Sequence, residues 1–228
     1  MNVNDALKAR KSVRAYLDKP VSQAQIESIL EVAACSPSGT NTQPWRVVVL
    51  TGTAKQQMQE ALEGAFRSGQ KQAMEVTYYP LTWQSPYIDR RRACGLQMYG
   101  TLDIKREDKQ RQQDQWAANY RAFDAPVMML FYIDKVMETG SYMDYGMFLQ
   151  SIMLAAEGEG LATCPQASLA EYPDVVKGLL HSSDDERLIC GMALGYEDKS
   201  ALVNSYRTPR EPVSAFTTFY SESLSNSD

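Results

Sequence analysis

Residues 10–14, near the N-terminus, carry the side chains that a phosphate-binding site needs. Arg10, Lys11 and Arg14 place three cations around the hydroxyl of Ser12. A phosphate group prefers planar guanidinium groups, a hydroxyl donor and positive charge in one place. For such a short segment alone, a solvated basic surface is the simpler interpretation, because charge clusters are common at protein surfaces. The segment therefore indicates a phosphate site only if other parts of the sequence support it.

Side chains for acid–base or nucleophilic catalysis are scarce. The sequence has no glycine-rich dinucleotide motif after a strand, no Walker loop and no zinc-protease helix motif. Its one histidine, His181, lies in a polar segment and is predicted to be a solvated surface residue rather than a base. Enzymes without their own base or nucleophile usually depend on a cofactor for the reaction. The sequence therefore favours cofactor-dependent chemistry.

The four cysteines argue against a metal site and against a disulfide. Cys35, Cys94, Cys164 and Cys190 are far apart and show none of the paired spacings of zinc sites or redox dithiols. A redox role for Cys164 is conceivable, but a small thiol beside a strand is more often inert packing, and packing is our prediction.

Composition and charge exclude several classes of function. The chain of 228 residues is 44% hydrophobic and 22% charged, which is typical of a globular protein and long enough for one domain spanning 1–228. Its net charge of -5 argues against a nucleic-acid binder. No apolar run has membrane-spanning length, and the N-terminus lacks the features of a signal peptide. We expect a soluble, cytoplasmic protein with no membrane partner.

Hydrophobic periodicity predicts alternating helices and strands. In the best example, Ile26, Ile29, Leu30 and Ala33 recur at helical spacing behind a capping box formed by Ser22 and Gln25. Helices are predicted at 3–8, 23–34, 142–157 and 175–180, and one more from the first strand to about residue 75. Strands are predicted at 45–50, 127–133, 161–164 and 187–196. A loop is predicted at 165–168, a helical cover insertion at about 78–124, and an extended C-terminal arm from about 201.

Four blocks, in this order along the chain, resemble the nitroreductase family of FMN enzymes. They are Arg-Lys-Ser-Val-Arg at 10–14, Ser-Pro-Ser-Gly-Thr-Asn-Thr-Gln-Pro-Trp at 36–45, Gly-Leu-Ala-Thr-Cys-Pro-Gln at 160–166, and Arg-Thr-Pro-Arg-Glu-Pro at 207–212. The resemblance extends from Leu7 to about Phe219 and is most specific in the second block. It implies an α+β fold with a mixed, mainly antiparallel sheet flanked by helices. It also implies a homodimer with an exchanged C-terminal arm and an FMN site at each interface.

The resemblance assigns a cofactor-binding role to residues from both ends of the chain. Arg10, Ser12, Arg14 and Arg210 are expected to hold the phosphate and the ribityl chain of FMN, with help from Arg207. Lys11 is assigned to the same group, at a position where relatives often have Arg or His.

Two further segments are expected to contact the flavin. From the partner subunit come three packing residues and two polar contacts: Pro37, Ser38, Gly39, Asn41 and Gln43. The second segment follows the isoalloxazine ring and offers backbone N–H groups to its reactive nitrogen edge: Pro165, Gln166, Ala167 and Ser168. Fixed donors there would stabilise the reduced flavin without a titrating side chain. Trp45 is expected to pack in the core.

The implied reaction is a ping-pong reduction. NADH or NADPH transfers a hydride to FMN and leaves, and a nitroaromatic or quinone-like acceptor is then reduced at the same face. Tyr87, Tyr99 or Trp116 in the insertion could stack on a flat acceptor, although core packing is the preferred interpretation for each. Residues 90–92, three consecutive arginines, fit a solvated face or a subunit contact better than an anion site.

Three alternatives remain open from the sequence. The chain could be a dehalogenating or flavin-fragmenting member of the same fold, a flavin-binding redox sensor without efficient turnover, or a dimeric interaction module without a cofactor. The physiological acceptor and the choice between NADH and NADPH have no signature in the sequence, because lid residues follow no motif.

Overall fold

A buried apolar strand forms the centre of the fold in the computed structural model, which describes residues 1–221. In this strand, β2 (Val127–Asp134), all residues except Asp134 are buried. Successive side chains point to opposite faces, so that Met129 and Phe131 belong to one core cluster and Met128 and Leu130 to the other. A strand covered on both faces needs a continuous apolar run, and this explains the sequence pattern at 127–133.

Four antiparallel strands make up the sheet. β1 (Arg46–Thr51), β2, β3 (Ala162–Gln166) and β4 (Glu186–Gly195) are arranged in the order β1-β2-β4-β3. Every neighbouring pair is antiparallel. The α+β class is confirmed. The sheet that we expected to be mixed and mainly antiparallel is antiparallel at every pair of strands. Parallel pairing within residues 1–221 is limited to one isolated bridge between Ser12 and Thr163.

Residues 1–221 contain seven α-helices: α1 (Val3–Ala9), α2 (Gln23–Ala33), α3 (Gly52–Arg67), α4 (Tyr87–Thr101), α5 (Lys109–Ala117), α6 (Gly140–Gly158) and α7 (Pro173–Leu180). α2 and α6 cover one face of the sheet through residues such as Ile29 and Ile152, whereas α3 and α7 cover the other through Leu62 and Val176. The predicted capping box at Ser22 is present at the start of α2.

Two predicted boundaries are wrong. α3 ends at Arg67 rather than near residue 75, because Gly69 adopts a left-handed φ of 73° and the N–H of Gln70 donates to the carbonyl of Ala65. Residues 165–168 are not a loop: Pro165 and Gln166 continue β3, and a short 3-10 helix follows over Ala167–Ala170. A proline is tolerated in β3 because it is an edge strand of the four-stranded sheet.

The insertion and the arm are less buried than the rest of the fold. Residues 78–124 contain α4 and α5, and α4 has no buried residue. The arm is extended apart from two short 3-10 helices, and Phe219 is 84% exposed. The last part of the predicted arm, 222–228, lies outside the described residues.

None of the helices within 1–221 combines the length and apolar character needed to span a membrane.

We predict opposite effects on stability for alanine at two glycines. A Cβ at Gly191 in β4 would lie 2.9 Å from the carbonyl oxygen of Met129 and 2.5 Å from Leu169 Cδ1, so Gly191→Ala should lower the free energy of unfolding by about 1–3 kcal/mol. A Cβ at Gly64 in α3 meets no atom within 4 Å, and Gly64→Ala should raise the free energy of unfolding by about 0.5–1 kcal/mol. Urea denaturation measures both values; equal effects at the two positions would contradict the packing described for β4.

Candidate active site

A cleft between the two ends of the described chain gathers cationic side chains. We call it the cation cleft, and its volume is about 530 Å³. Its lining residues are Leu7, Lys8, Arg10, Lys11, Ser12, Arg14, Cys94, Tyr206, Arg207, Thr208 and Arg210. Six of these are cationic, and among residues 1–221 no aspartate or glutamate lines the cleft. The phosphate residues predicted from opposite ends of the sequence are therefore brought together.

The N-terminal wall of the cleft follows the edge of the sheet. After α1 the chain becomes extended, and the N–H of Val13 donates to the carbonyl of Thr163 at 3.0 Å. Side chains alternate along an extended backbone, so the buried Val13 points into the core while Ser12 and Arg14 point to the opposite side and line the cleft. The sheet edge thus fixes the direction in which these two residues project.

Asn204 ties the C-terminal wall to the N-terminal wall. This residue is 3% exposed, its Oδ1 accepts from the N–H of Arg14 at 2.8 Å, and its Nδ2 donates to the carbonyls of Ala15 and Asp198, both at 2.9 Å. A second link is made by Arg207, whose Nη2 donates to the carbonyl of Arg10 at 2.5 Å. Both links join residues almost two hundred positions apart.

The cations of the cleft repel one another. The pKa of Arg10 lies below its ordinary value because of burial first and then because of Arg210 and Arg207. Lys11 is different, since its ammonium pairs with Glu197 at 2.7 Å and donates to the carbonyl of Asn204 at 2.5 Å. Lys11 therefore has a structural partner, whereas Arg10, Arg207 and Arg210 have no carboxylate at ion-pair distance within residues 1–221.

A second cavity adjoins the cation cleft and shares Arg14, Cys94 and Tyr206 with it. We call it the aromatic cavity; its volume is about 340 Å³. Its other lining residues are Arg91, Gly95, Met98, Tyr99, Gln115, Trp116, Asn119 and Phe123. Two of the three aromatic residues considered for acceptor stacking, Tyr99 and Trp116, therefore line a cavity. The third, Tyr87, lies outside both cavities and is 63% exposed.

The predicted ring-contact segment lies apart from the cation cleft. Pro165 and Gln166 line a cavity of about 610 Å³ beside the N-terminal half of α6. The Nε2 of Gln166 donates to the carbonyl of Asn119 at 2.8 Å, which leaves the buried Oε1 without a partner in the described part of the chain. Ala167 and Ser168 are half-buried at the start of the 3-10 helix.

The predicted partner-facing loop also lies apart from the cation cleft. Ser38 holds the loop by accepting from the N–H of Gln43 at 2.9 Å, and the N–H of Gly39 donates to Asp144 at 3.2 Å. Asn41 and Gln43 are exposed and have left-handed φ values of 60° and 47°. Pro37, just before them, borders a groove between α1, α2 and α6. Left-handed backbone at non-glycine residues is strained and is more frequent at functional sites.

Three other predictions about single residues are confirmed. Trp45 stacks on Phe148 with ring centroids 4.7 Å apart and packs against the core. His181 is exposed and ends α7 with a left-handed φ of 51°. Cys164 is buried, and burial raises the pKa of its thiol to about 11, so it is protonated and unreactive at neutral pH.

Residues 7–196 match the Nitroreductase family. The chain belongs to this family. It is 39% identical to the 4-nitrobenzoate reductase of Pseudomonas putida, with 92% of each chain covered, and 37% identical to the chloronitrobenzene nitroreductase of Comamonas testosteroni, covering 96% of this chain and 97% of the relative.

A solved structure is also similar over nearly the whole chain. The FMN-dependent nitroreductase NfnB from Mycobacterium smegmatis, in complex with NADPH, has a TM-score of 0.91 at 31% identity, and the match covers 96% of this chain and 97% of NfnB. Together with the curated relatives, this match identifies the chain as a nitroreductase-type oxidoreductase.

Sequence reasoning missed the residues that join the two ends of this nitroreductase. Asn204, Tyr206 and Cys94 fall in no recognisable motif, and they reach the site through contacts between distant segments. The burial of Asn204 would have identified it as a structural residue, but the sequence alone does not show that burial.

We predict that Asn204→Ala destabilises the protein. The change leaves the N–H of Arg14 and the carbonyls of Ala15 and Asp198 without their partner, which should lower the free energy of unfolding by about 2–3 kcal/mol. Lys199→Ala, at an exposed position in the preceding turn, is the matched control and should have no measurable effect. Urea denaturation measures both; indistinguishable midpoints for the two variants would show that Asn204 does not hold the walls together.

Proposed function

We propose that this nitroreductase is a cytoplasmic, FMN-dependent NAD(P)H oxidoreductase that reduces nitroaromatic or quinone-like acceptors. The observation that carries the proposal is the cation cleft, in which guanidinium groups from both ends of the chain converge with no carboxylate among the lining residues described. The names of its relatives add support, since they reduce 4-nitrobenzoate and chloronitrobenzene, and NfnB is FMN-dependent and was solved with NADPH.

The residues of the cleft fit the phosphate of FMN. Arg10, Arg207 and Arg210 have no ion-pair partner within the described residues. Burial and then the repulsion from Arg210 and Arg207 lower the pKa of Arg10, only partly offset by Glu157, and a phosphate dianion would relieve that repulsion. Ser12 adds a hydroxyl, and Arg14 a further guanidinium. Lys11 contributes positive charge, although its ammonium is already engaged with Glu197.

The ring of FMN would be held by segments that are mostly backbone and small side chains. Pro165, Gln166, Ala167 and Ser168 lie on β3 and the turn that follows, and β3 itself is bridged to Ser12 of the cation cleft. When bound, FMN supplies the redox chemistry, accepting a hydride from NAD(P)H and passing two electrons to the acceptor. The protein's part is to orient the ring with fixed donors.

The overall reaction is balanced without a catalytic side chain. One NAD(P)H and one proton convert an aromatic nitro group to a nitroso group, releasing NAD(P)+ and water. A second round takes the nitroso product to the hydroxylamine. Donor and acceptor would use the site in turn, which gives ping-pong kinetics, and the helical cover at 78–124 within one 1–228 domain would close over both. The exposed His181 takes no part in this scheme.

A homodimer would complete the site. The loop carrying Pro37, Ser38, Gly39, Asn41 and Gln43 is exposed except for the half-buried Ser38, and it does not line the cation cleft of its own chain. We therefore propose that it contacts the flavin bound by the partner. Apolar side chains on α2 and α6 are left on the surface, among them Val32 at 58% and Met143 at 73% exposure. Burying such a surface in a dimer, with the C-terminal arm exchanged, would remove them from water.

The visible spectrum of the purified protein tests the proposed function. We expect flavin absorbance that bleaches on anaerobic addition of NADPH or NADH, and sustained NAD(P)H oxidation with a nitroaromatic acceptor. Bleaching without sustained turnover would indicate the redox sensor instead. A colourless protein that takes up no added FMN would contradict the proposal.

We predict that Arg210→Ala weakens FMN binding about tenfold, since it removes one guanidinium from a phosphate. Arg106→Ala, an exposed arginine in the turn between α4 and α5, is the matched control and should retain flavin like the wild type. Flavin retained after gel filtration measures the effect. Full occupancy of both variants would show that the phosphate lies elsewhere.

We predict that Val32→Glu yields a monomer that holds flavin poorly. A carboxylate at this position would be buried in the proposed dimer, and an unpaired buried charge opposes association. Leu179→Glu on α7, where the leucine is 44% exposed, is the control and should remain dimeric. Light scattering gives the molar mass. A Val32→Glu protein with dimer mass and full flavin content would place the interface elsewhere.

A further inference from the structure

We propose that the aromatic cavity is a subsite for an acceptor that carries a carboxylate on a single aromatic ring, and that Arg91 selects for that charge. This inference rests on the proposed function, because it names the acceptor class of the same site.

The walls of the aromatic cavity suit a flat ring. They include the rings of Tyr99, Trp116, Phe123 and Tyr206, and the amides of Gln115 and Asn119. Aromatic faces pack well on a flat aromatic ligand, and amides can bond its polar substituents. A volume of about 340 Å³ is at the low end for ligand sites and suits one substituted ring rather than a large polycyclic molecule.

Arg91 is the arginine of α4 that lines the aromatic cavity, and its charge remains available to a ligand. Its guanidinium carbon lies 4.8 Å from the ring centroid of Trp83 and 6.0 Å from that of Tyr79, and such cation–π contacts orient the group without neutralising it. The neighbouring Arg90 pairs with Glu211 at 3.1 Å, whereas no carboxylate within residues 1–221 lies at ion-pair distance from Arg91.

The charge of the cavity favours an anion. Arg14 lies on the wall shared with the cation cleft, its guanidinium carbon 5.9 Å from the ring centroid of Phe123. Arg14 and Arg91 both line the cavity, the guanidinium of Arg91 lying over Trp83 and Tyr79 beside it, and no aspartate or glutamate of the described chain lines the cavity. A carboxylate matches the planar fork of a guanidinium group, and a dinucleotide is too large for this volume.

Paired acceptors that differ only in charge test the proposal. 4-Nitrobenzoate and 4-nitrobenzamide have the same ring, nitro group and approximate shape, but only the first is an anion. We expect Arg91→Gln to lower kcat/KM for 4-nitrobenzoate about tenfold and to leave that for 4-nitrobenzamide and the KM for the nucleotide unchanged. Arg92→Gln, an exposed neighbour that does not line the cavity, is the matched control and should behave as the wild type.

A binding measurement gives a readout that does not depend on turnover. Trp116 lines the cavity, so quenching of tryptophan fluorescence by benzoate and by benzamide reports occupancy. The wild type should bind benzoate more tightly than benzamide, and this difference should shrink at high salt. Arg91→Gln should bind the two ligands equally well. Arg91→Lys should restore part of the difference, because it keeps the charge but loses the planar fork.

Several results would overturn the proposal. Equal losses for both acceptors, an effect on the KM for the nucleotide alone, or an equal effect of Arg92→Gln would each show that Arg91 does not read the carboxylate. Failure of the proposed function looks different: the wild type would then hold no flavin or oxidise no NAD(P)H with either acceptor, and the present inference would fail with it. An active, flavin-loaded enzyme without a preference for charge would defeat this inference alone.

Discussion

The site depends on holding like charges together. Arg10 is separated from Arg207 and Arg210 by about two hundred residues, and their mutual repulsion together with burial opposes the contact. Hydrogen bonds offset that cost: the side chain of Asn204 joins the two segments with two bonds, to the backbone of Arg14 and Ala15, and Arg207 donates to the backbone of Arg10. Glu157 offsets the repulsion only in part, so a bound phosphate would stabilise this arrangement of the two segments.

The backbone around the cleft explains why the chemistry needs few conspicuous side chains. The N-terminal segment is fixed by its bridge to Thr163 on β3, and the same strand continues into Pro165 and Gln166. One edge of the sheet thus positions both the proposed phosphate residues and the proposed ring contacts. Specificity would come from α4 instead, which has no buried residue and can therefore change without loss of the core.

Much of the fold could be predicted from sequence, for reasons that particular elements make clear. The strand at 127–133 and the helix at 142–157 were predictable because long apolar runs have few alternative structures. The end of α3 was missed because Gly69, in a stretch rich in good helix formers, stops the helix through its left-handed backbone. The proposed phosphate residues were predicted from the order of sequence blocks. The role of Asn204 and the surroundings of Arg91 depend instead on contacts that sequence spacing does not encode.

Comparing FMN with riboflavin tests the central claim most directly, since the two differ only in the phosphate. Titrating flavin-free protein with each, followed by flavin fluorescence, gives both dissociation constants. If the cation cleft binds the phosphate, FMN should bind about a hundredfold more tightly than riboflavin, and the ratio should fall as salt is raised. Equal affinities for the two flavins would show that the cations gathered from the two ends of the chain serve another purpose.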